Sequence, residues 1–156
     1  MATRRIHLAA PPESVDDDPL VTEMMTTRLV AIVPAASLST ALHLMASTGV
    51  RHLPVLDGQR CLGLVVEADV VRCLAQAPGP FGEGSPLSVG DICRPADPLT
   101  VRMRRSDAAR RMEAAGSDAV LVADHGRLVG IVTATDLIRS LAGRATPDTV
   151  EPEDPR

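Results

Sequence analysis

Shifting the chain against itself by 67 places aligns residues 37–75 with 104–142 without a gap, and 13 of those 39 positions are identical. Unrelated stretches of ordinary composition would share about three. The identities include Ala41/Ala108, Met45/Met112, Gly49/Gly116, Val55/Val122, Gly63/Gly130, Asp69/Asp136 and Arg72/Arg139. Upstream, VTEMM at 21–25 resembles VGDIC at 89–93 at a shift of 68, so one residue has been gained or lost in between. The chain is a duplication, and its two copies must share one fold.

Each copy reads as the same succession of elements. In the first, the apolar run 29–33 ends at Pro34 and predicts a strand. Ser37 then caps a helix through Thr48, with Leu38, Ala41, Leu42 and Met45 at helical spacing, and Gly49 stops it. Strands follow at 52–56 and 62–66, joined by an Asp57-Gly58 turn, and a helix at 67–76 closes the copy. The second copy predicts strands at 99–101, 119–123 and 128–133 and helices at 106–115 and up to about 142. The fold class is α+β, as two pseudo-symmetric β-α-β-β-α repeats. Repeat 1 is expected over 20–76 and repeat 2 over 88–143, with a Pro/Gly linker at 77–87 and disordered tails at 1–19 and 144–156. A copy of about 55 residues is marginal alone, so the two are expected to share a core, with a ligand-sized cleft between them.

Composition excludes several functions. All 16 cations are Arg, against 20 acids, and the acidic excess sits in the two tails, leaving a neutral body. One Phe and no Trp or Tyr leave no stacking platform, and no basic stripe marks a nucleic-acid face. No apolar run approaches the ~18 residues of a membrane span, and the first ten residues are too polar for a secretory signal. Cys61, Cys73 and Cys93 fit neither a disulfide framework nor a zinc motif, so reduced thiols and a cytoplasmic location are expected.

Three strings carry a family resemblance: Met25-Thr26, Gly49-Val50-Arg51-His52-Leu53-Pro54-Val55 and Gly130-Ile131-Val132-Thr133-Ala134-Thr135-Asp136. In this order, twice over, they resemble the cystathionine-β-synthase (CBS) domain, and the pair resembles a Bateman module over about residues 20–143. The resemblance implies a regulatory module, concerned for instance with energy sensing, that binds an adenine nucleotide or another adenosyl ligand between its halves, often as a homodimer. It implies that Thr133, Thr135 and Asp136 face Thr26, Arg28, Val30, Val50 and Arg51. Val30 and Val50 would then border the adenine, and Arg51 would meet phosphate.

Thr133 and Asp136 serve two compatible purposes. Thr133 at a helix N-cap with an acid three residues on makes a capping-box variant. The same helix end offers free N–H groups to a phosphate, and Asp136 one turn in can accept two ribose hydroxyls. Arg28 and Arg51 read equally well as solvated surface charge; His52 could assist Arg51 but reads more readily as a strand residue that packs or faces water. The equivalent second site is weaker: Asp69 is retained, but Val66 replaces Thr133, and Asp118, which would repel phosphate, replaces Arg51. One competent site per chain, centred on Asp136, is therefore expected.

No cofactor is expected to be required. The ligand that the resemblance implies is AMP, ADP, ATP or another adenosyl compound such as NAD or S-adenosylmethionine. Catalysis is not expected, because His7, His43, His125 and the three cysteines form no nucleophile–base pair by spacing, and the cysteines read as small buried hydrophobes. With no appended domain, the module would regulate a separate protein in trans, with no nucleic-acid or membrane partner, and would pair through apolar outer helices. Two alternatives remain open: a ligand-free structural or partner-binding module, and a metal or redox sensor built on Cys and His.

Overall fold

The computed structural model describes residues 17–80 and 84–143. Residues 1–16 of the tail expected at 1–19, the tail expected at 144–156, and residues 81–83 of the linker, with Phe81, lie outside the described residues. The first half contains α1 (Leu38–Thr48), β1 (His52–Asp57), β2 (Arg60–Val66) and α2 (Glu67–Gln76). A short α3 (Val89–Ile92), β3 (Arg94–Pro95) and β4 (Leu99–Thr100) lead into α4 (Arg105–Ala115), β5 (Ala119–Asp124), β6 (Arg127–Thr133) and α5 (Ala134–Gly143). No helix among the described residues is long and apolar enough to cross a membrane.

Local chemistry sets these boundaries. The Ser37 hydroxyl accepts the Thr40 N–H at 3.1 Å and starts α1, which Gly49 ends in the left-handed region at φ 74°. In the second half the N-cap of α4 is Arg104, whose N–H is held by the Asp107 carboxylate at 2.9 Å. The β5–β6 hairpin turns through His125 and Gly126, both at positive φ, as a two-residue loop between twisted strands requires.

The strand expected at 29–33 is not formed. Only Ile32 pairs, as a single parallel bridge to Val55, through Ile32 N–H to the Pro54 carbonyl and Leu56 N–H to the Ile32 carbonyl, each at 2.9 Å. Pro34 ends the run after this one register position, and Leu29 and Val30 turn instead toward the gap between the halves. The equivalent segment of the second half makes two such pairs, Leu99 to Val122 and Thr100 to Ala123.

The sheets run β1-β2-β3 and β4-β5-β6, and the copies exchange their beginnings. β3, which opens the second copy, pairs with β2 of the first (Leu64 opposite Arg94). Reciprocally, Thr26 and Ile131 of β6 exchange backbone bonds at 2.9 and 3.1 Å. Val21 is fully buried among Leu99, Val122 and Val132, while Val89 is fully buried among Leu38, Leu53 and Val55. Asp18, placed in the N-terminal tail by composition, caps α4 through the Ser106 N–H at 2.9 Å and hydroxyl at 2.6 Å. A third apolar cluster, with Leu64 and Val66 from one sheet and Ala119, Leu121 and Ile131 from the other, joins the halves.

This exchange depends on two glycines at equivalent positions. A Cβ on Gly63 would lie 2.0 Å from the Arg94 carbonyl oxygen and 2.6 Å from Cys93 Sγ. A Cβ on Gly130 would lie 2.5 Å from Met25 Sδ. Each incoming segment thus crosses the other copy's second hairpin strand where no side chain intervenes.

Candidate functional site

A cavity of about 520 Å³ opens between the halves, within the range of small-molecule sites. The first half contributes Thr26, Arg28, Val30, Val50, Arg51 and His52, and the second Asp118, Thr133, Thr135, Asp136 and Arg139. All eight residues expected to make the principal site therefore line one cavity. The exchanged start of the chain brings Thr26 to β6, Gly49 turns the chain so that Val50 and Arg51 reach the opening, and the β6–α5 junction supplies Thr133, Thr135 and Asp136. Leu29, Pro54, Ile131 and Ala134 give it apolar walls.

Asp136 is half-buried at the first turn of α5. Its Oδ2 accepts the Thr133 N–H at 2.8 Å and the Thr133 hydroxyl at 2.9 Å, and the Asp136 N–H reaches that hydroxyl at 3.4 Å. The helix cap is thus formed. Among the described residues Oδ1 of the same carboxylate has no hydrogen-bond partner, so one acceptor is unused while the other closes the cap.

The charges around this carboxylate are unequal in their pairing. His52 Nε2 lies 2.7 Å from Asp118 Oδ1, a contact between the halves in which the His52 side chain is only 9% exposed. That hydrogen bond holds the Asp118 carboxyl below its ordinary range, with Arg94 adding a weaker attraction. Arg28, Arg51 and Arg139 are exposed, line the cavity, and form no ion pair among the described residues.

Asp69 sits in a different environment. It is 6% exposed, and Arg94 grips it with Nε at 2.8 Å and Nη2 at 3.1 Å while Arg72 Nη2 adds a contact at 2.6 Å. The Arg94 bond is the main cause of a carboxyl held below the usual range, outweighing the opposing effect of burial. Val66, in the place of Thr133, caps α2 with no side-chain bond. A smaller cavity of about 250 Å³ on this side is lined by Arg94, Ala96, Asp97, Arg111 and Ser117 among others, and Asp69 is not part of its wall.

The sequence left Arg139 unnamed and put Asp118 in the second site, whereas Asp118 lies at the rim of the principal cavity. His52 is packed, 9% exposed, and also lines that cavity, where it meets Asp118. The identity of Arg72 and Arg139 across the duplication marked the first of these positions. The His52–Asp118 contact spans 66 residues and left no local signal.

The three cysteines are free and half-buried rather than fully buried. Burial is the main cause that raises the Cys61 and Cys93 thiols, so both are poor nucleophiles. His43 and His125 are exposed, and His7 lies outside the described residues. Among the described residues no three His, Cys, Asp or Glu side chains converge on a metal-sized site.

The family model for the CBS domain matches residues 21–76 and 89–143. The chain is 30% identical over 122 residues to uncharacterized protein MJ1225 of Methanocaldococcus jannaschii, covering 78% of this chain and 42% of that one. It is also 30% identical over 112 residues to an inosine-5'-monophosphate dehydrogenase of Korarchaeum cryptofilum, covering 70% of this chain and 21% of that enzyme. The chain thus spans less than half the length of these relatives. Among solved structures, the CBS domain pair of protein MJ0100, in complex with 5'-methylthioadenosine and S-adenosyl-L-methionine, superposes with a TM-score of 0.71 at 22% identity over 81% of this chain and 98% of that one. CBSX2 in complex with AMP gives 0.69 at 25% identity, over 82% and 99%. The CBS domain of a bacterial CNNM/CorC family Mg2+ transporter, in complex with ATP, gives 0.68 at 22% over 80% and 88%.

Proposed function

Because the chain belongs to the CBS domain family, with both of its halves matched, we propose that it is a regulatory module that binds one adenine nucleotide or adenosyl ligand per chain in the cavity at Asp136. The structural neighbours with bound 5'-methylthioadenosine and S-adenosyl-L-methionine, AMP or ATP support the ligand class. The observation that carries the reading is Asp136 itself. One oxygen closes the α5 cap, the other is unpartnered among the described residues, and the remaining expected residues surround it in a cavity of about 520 Å³.

In this reading the free oxygen accepts ribose hydroxyls, Val30 and Val50 flank the base, and the α5 N-terminus and nearby guanidiniums face the phosphates. The ligand bridges residues of both halves, so binding favours one relative arrangement of those halves and transmits a state to whatever protein or domain the module regulates. The module itself performs no catalysis. Thermal melting tests the reading directly: an adenosyl ligand at 100 times its Kd stabilises the fold by roughly 2.7 kcal/mol. Absence of any shift with AMP, ADP, ATP, NAD or S-adenosylmethionine would instead favour a ligand-free, partner-binding module.

A further inference from the structure

We propose that the bond between His52 and Asp118 is a clasp that couples the two halves. It ties the start of β1 to the start of α5, so that a displacement of either half at this point is passed to the other.

The rest of the seam does not supply such a coupling. Leu64 and Val66 of β2 meet Ala119, Leu121 and Ile131 of the second sheet there. Apolar contact is non-directional and holds the halves together without fixing how they are set against each other. A hydrogen bond at 2.7 Å is directional. No other side-chain hydrogen bond of a described residue in β1 or β2 reaches the second half.

Both ends of the clasp are anchored to a closing helix. The Asp118 carbonyl accepts the Ala134 N–H at 2.8 Å, at the first residue of α5. Its repeat equivalent Arg51, next to His52, accepts the Glu67 N–H at 2.9 Å, at the first residue of α2. The clasp therefore joins the two segments that hold α2 and α5 in place. The contact keeps the Asp118 carboxyl below its ordinary range, and an ionised carboxylate only accepts, so His52 Nε2 carries the hydrogen. The Asp118 side chain is 64% exposed and returns to water when the bond opens, whereas the buried imidazole is left without its acceptor. That asymmetry favours the closed clasp without locking it.

The duplication shows that the clasp is single. Under the shift of 67 places His52 corresponds to Ala119 and Asp118 to Arg51. Alanine has no polar side-chain group, so the reciprocal contact cannot form. The coupling holds whatever occupies the cavity and does not depend on the adenosyl reading.

Hydrogen exchange of the unliganded full chain tests this in the wild type, His52→Ala, Asp118→Ala and the double variant. Each single substitution is expected to speed exchange about tenfold in the half that does not carry it: at the start of α5 in His52→Ala, and at the start of β1 in Asp118→Ala. The double variant is expected to exchange no faster than the singles, because all three lose the same bond. Asp118→Asn keeps an acceptor and His52→Gln keeps a donor, and both are expected to stay within about twofold of the wild type. Faster exchange confined to the substituted half, additive effects in the double variant, or Asp118→Asn exchanging as fast as Asp118→Ala would overturn the clasp. Asp118 is the exposed partner, so its two variants decide the outcome even if His52→Ala does not fold.

Discussion

Arg94 lays its guanidinium along the Asp69 carboxylate with two hydrogen bonds, from Nε at 2.8 Å and Nη2 at 3.1 Å. In the symmetry of the duplication, Asp69 stands where Asp136 stands, yet the chain's own cation already occupies it. On the proposed reading this acid serves stability and not ligand capture. Asp69→Ala should cost about 1–3 kcal/mol, a fall in melting temperature of several degrees, and leave ATP affinity unchanged. Calorimetric melting and titration of the variant check both halves of the expectation. A variant that melts normally but binds ATP poorly would contradict it.

The two crossing glycines should differ in sensitivity. In Gly63→Ala the new methyl meets the backbone carbonyl of Arg94 at 2.0 Å, which cannot move without breaking the β2–β3 pairing. In Gly130→Ala it meets the flexible side chain of Met25, nearest at Sδ. Overpacking costs of about 1–3 kcal/mol are ordinary, so Gly63→Ala belongs at or above the top of that range and Gly130→Ala near its foot. Urea unfolding of the two variants measures the difference, and equal costs would show that the exchanged segments are not held as described.

Acid should weaken the fold in a definite window. Asp69 is depressed chiefly by the Arg94 bond, Asp118 by the His52 bond, and Asp107 by the Arg104 backbone N–H. A carboxyl depressed in the folded state contributes stability that is fully present above its unfolded value of about 3.9, and loses it as the pH falls through the folded value. Melting temperature is therefore expected to hold between about pH 7 and 5 and to fall steeply below about pH 4. Asp69→Asn should melt lower at neutral pH and show a shallower acid slope, and an unchanged slope would place the acid sensitivity elsewhere.

Pairing with a second copy is the expected use of the outer helices. Val71 on α2 and Ile138 on α5 are repeat equivalents and are 48% and 65% exposed, with Leu141 beside the latter at 57%. Apolar positions repeated on both outer faces suit an interface that two copies make twice. Light scattering at micromolar concentration should give twice the mass of the chain, and Ile138→Glu should give the single mass. A wild-type monomer would remove the pairing.

Much of this was legible in residue order because it is local. The Ser37 cap, the Gly49 stop and the hairpins at 57–58 and 124–126 follow from spacing and turn chemistry, and comparison of the copies separated Thr133 from Val66. What was not legible is nonlocal or cooperative. Nothing at 29–33 shows that only Ile32 will find a partner, since that depends on where the folded segment meets Val55 of β1. The exchange of the opening segments is invisible in a repeat read copy by copy, because Val21 and Val89 have the same apolar character whichever core receives them. Asp118 met His52 for the same reason: folding, not spacing, brings residues 66 apart to 2.7 Å.

The central claim is a single ligand site per chain held by one carboxylate, and titration calorimetry with ATP on the wild type and Asp136→Ala tests it most directly. Loss of the cap in that variant costs about 1 kcal/mol, so its fold should persist and can be verified by melting in the same sample. One ATP per chain in the wild type and none in Asp136→Ala is the predicted result. Two per chain, or undiminished binding in the variant, would contradict it.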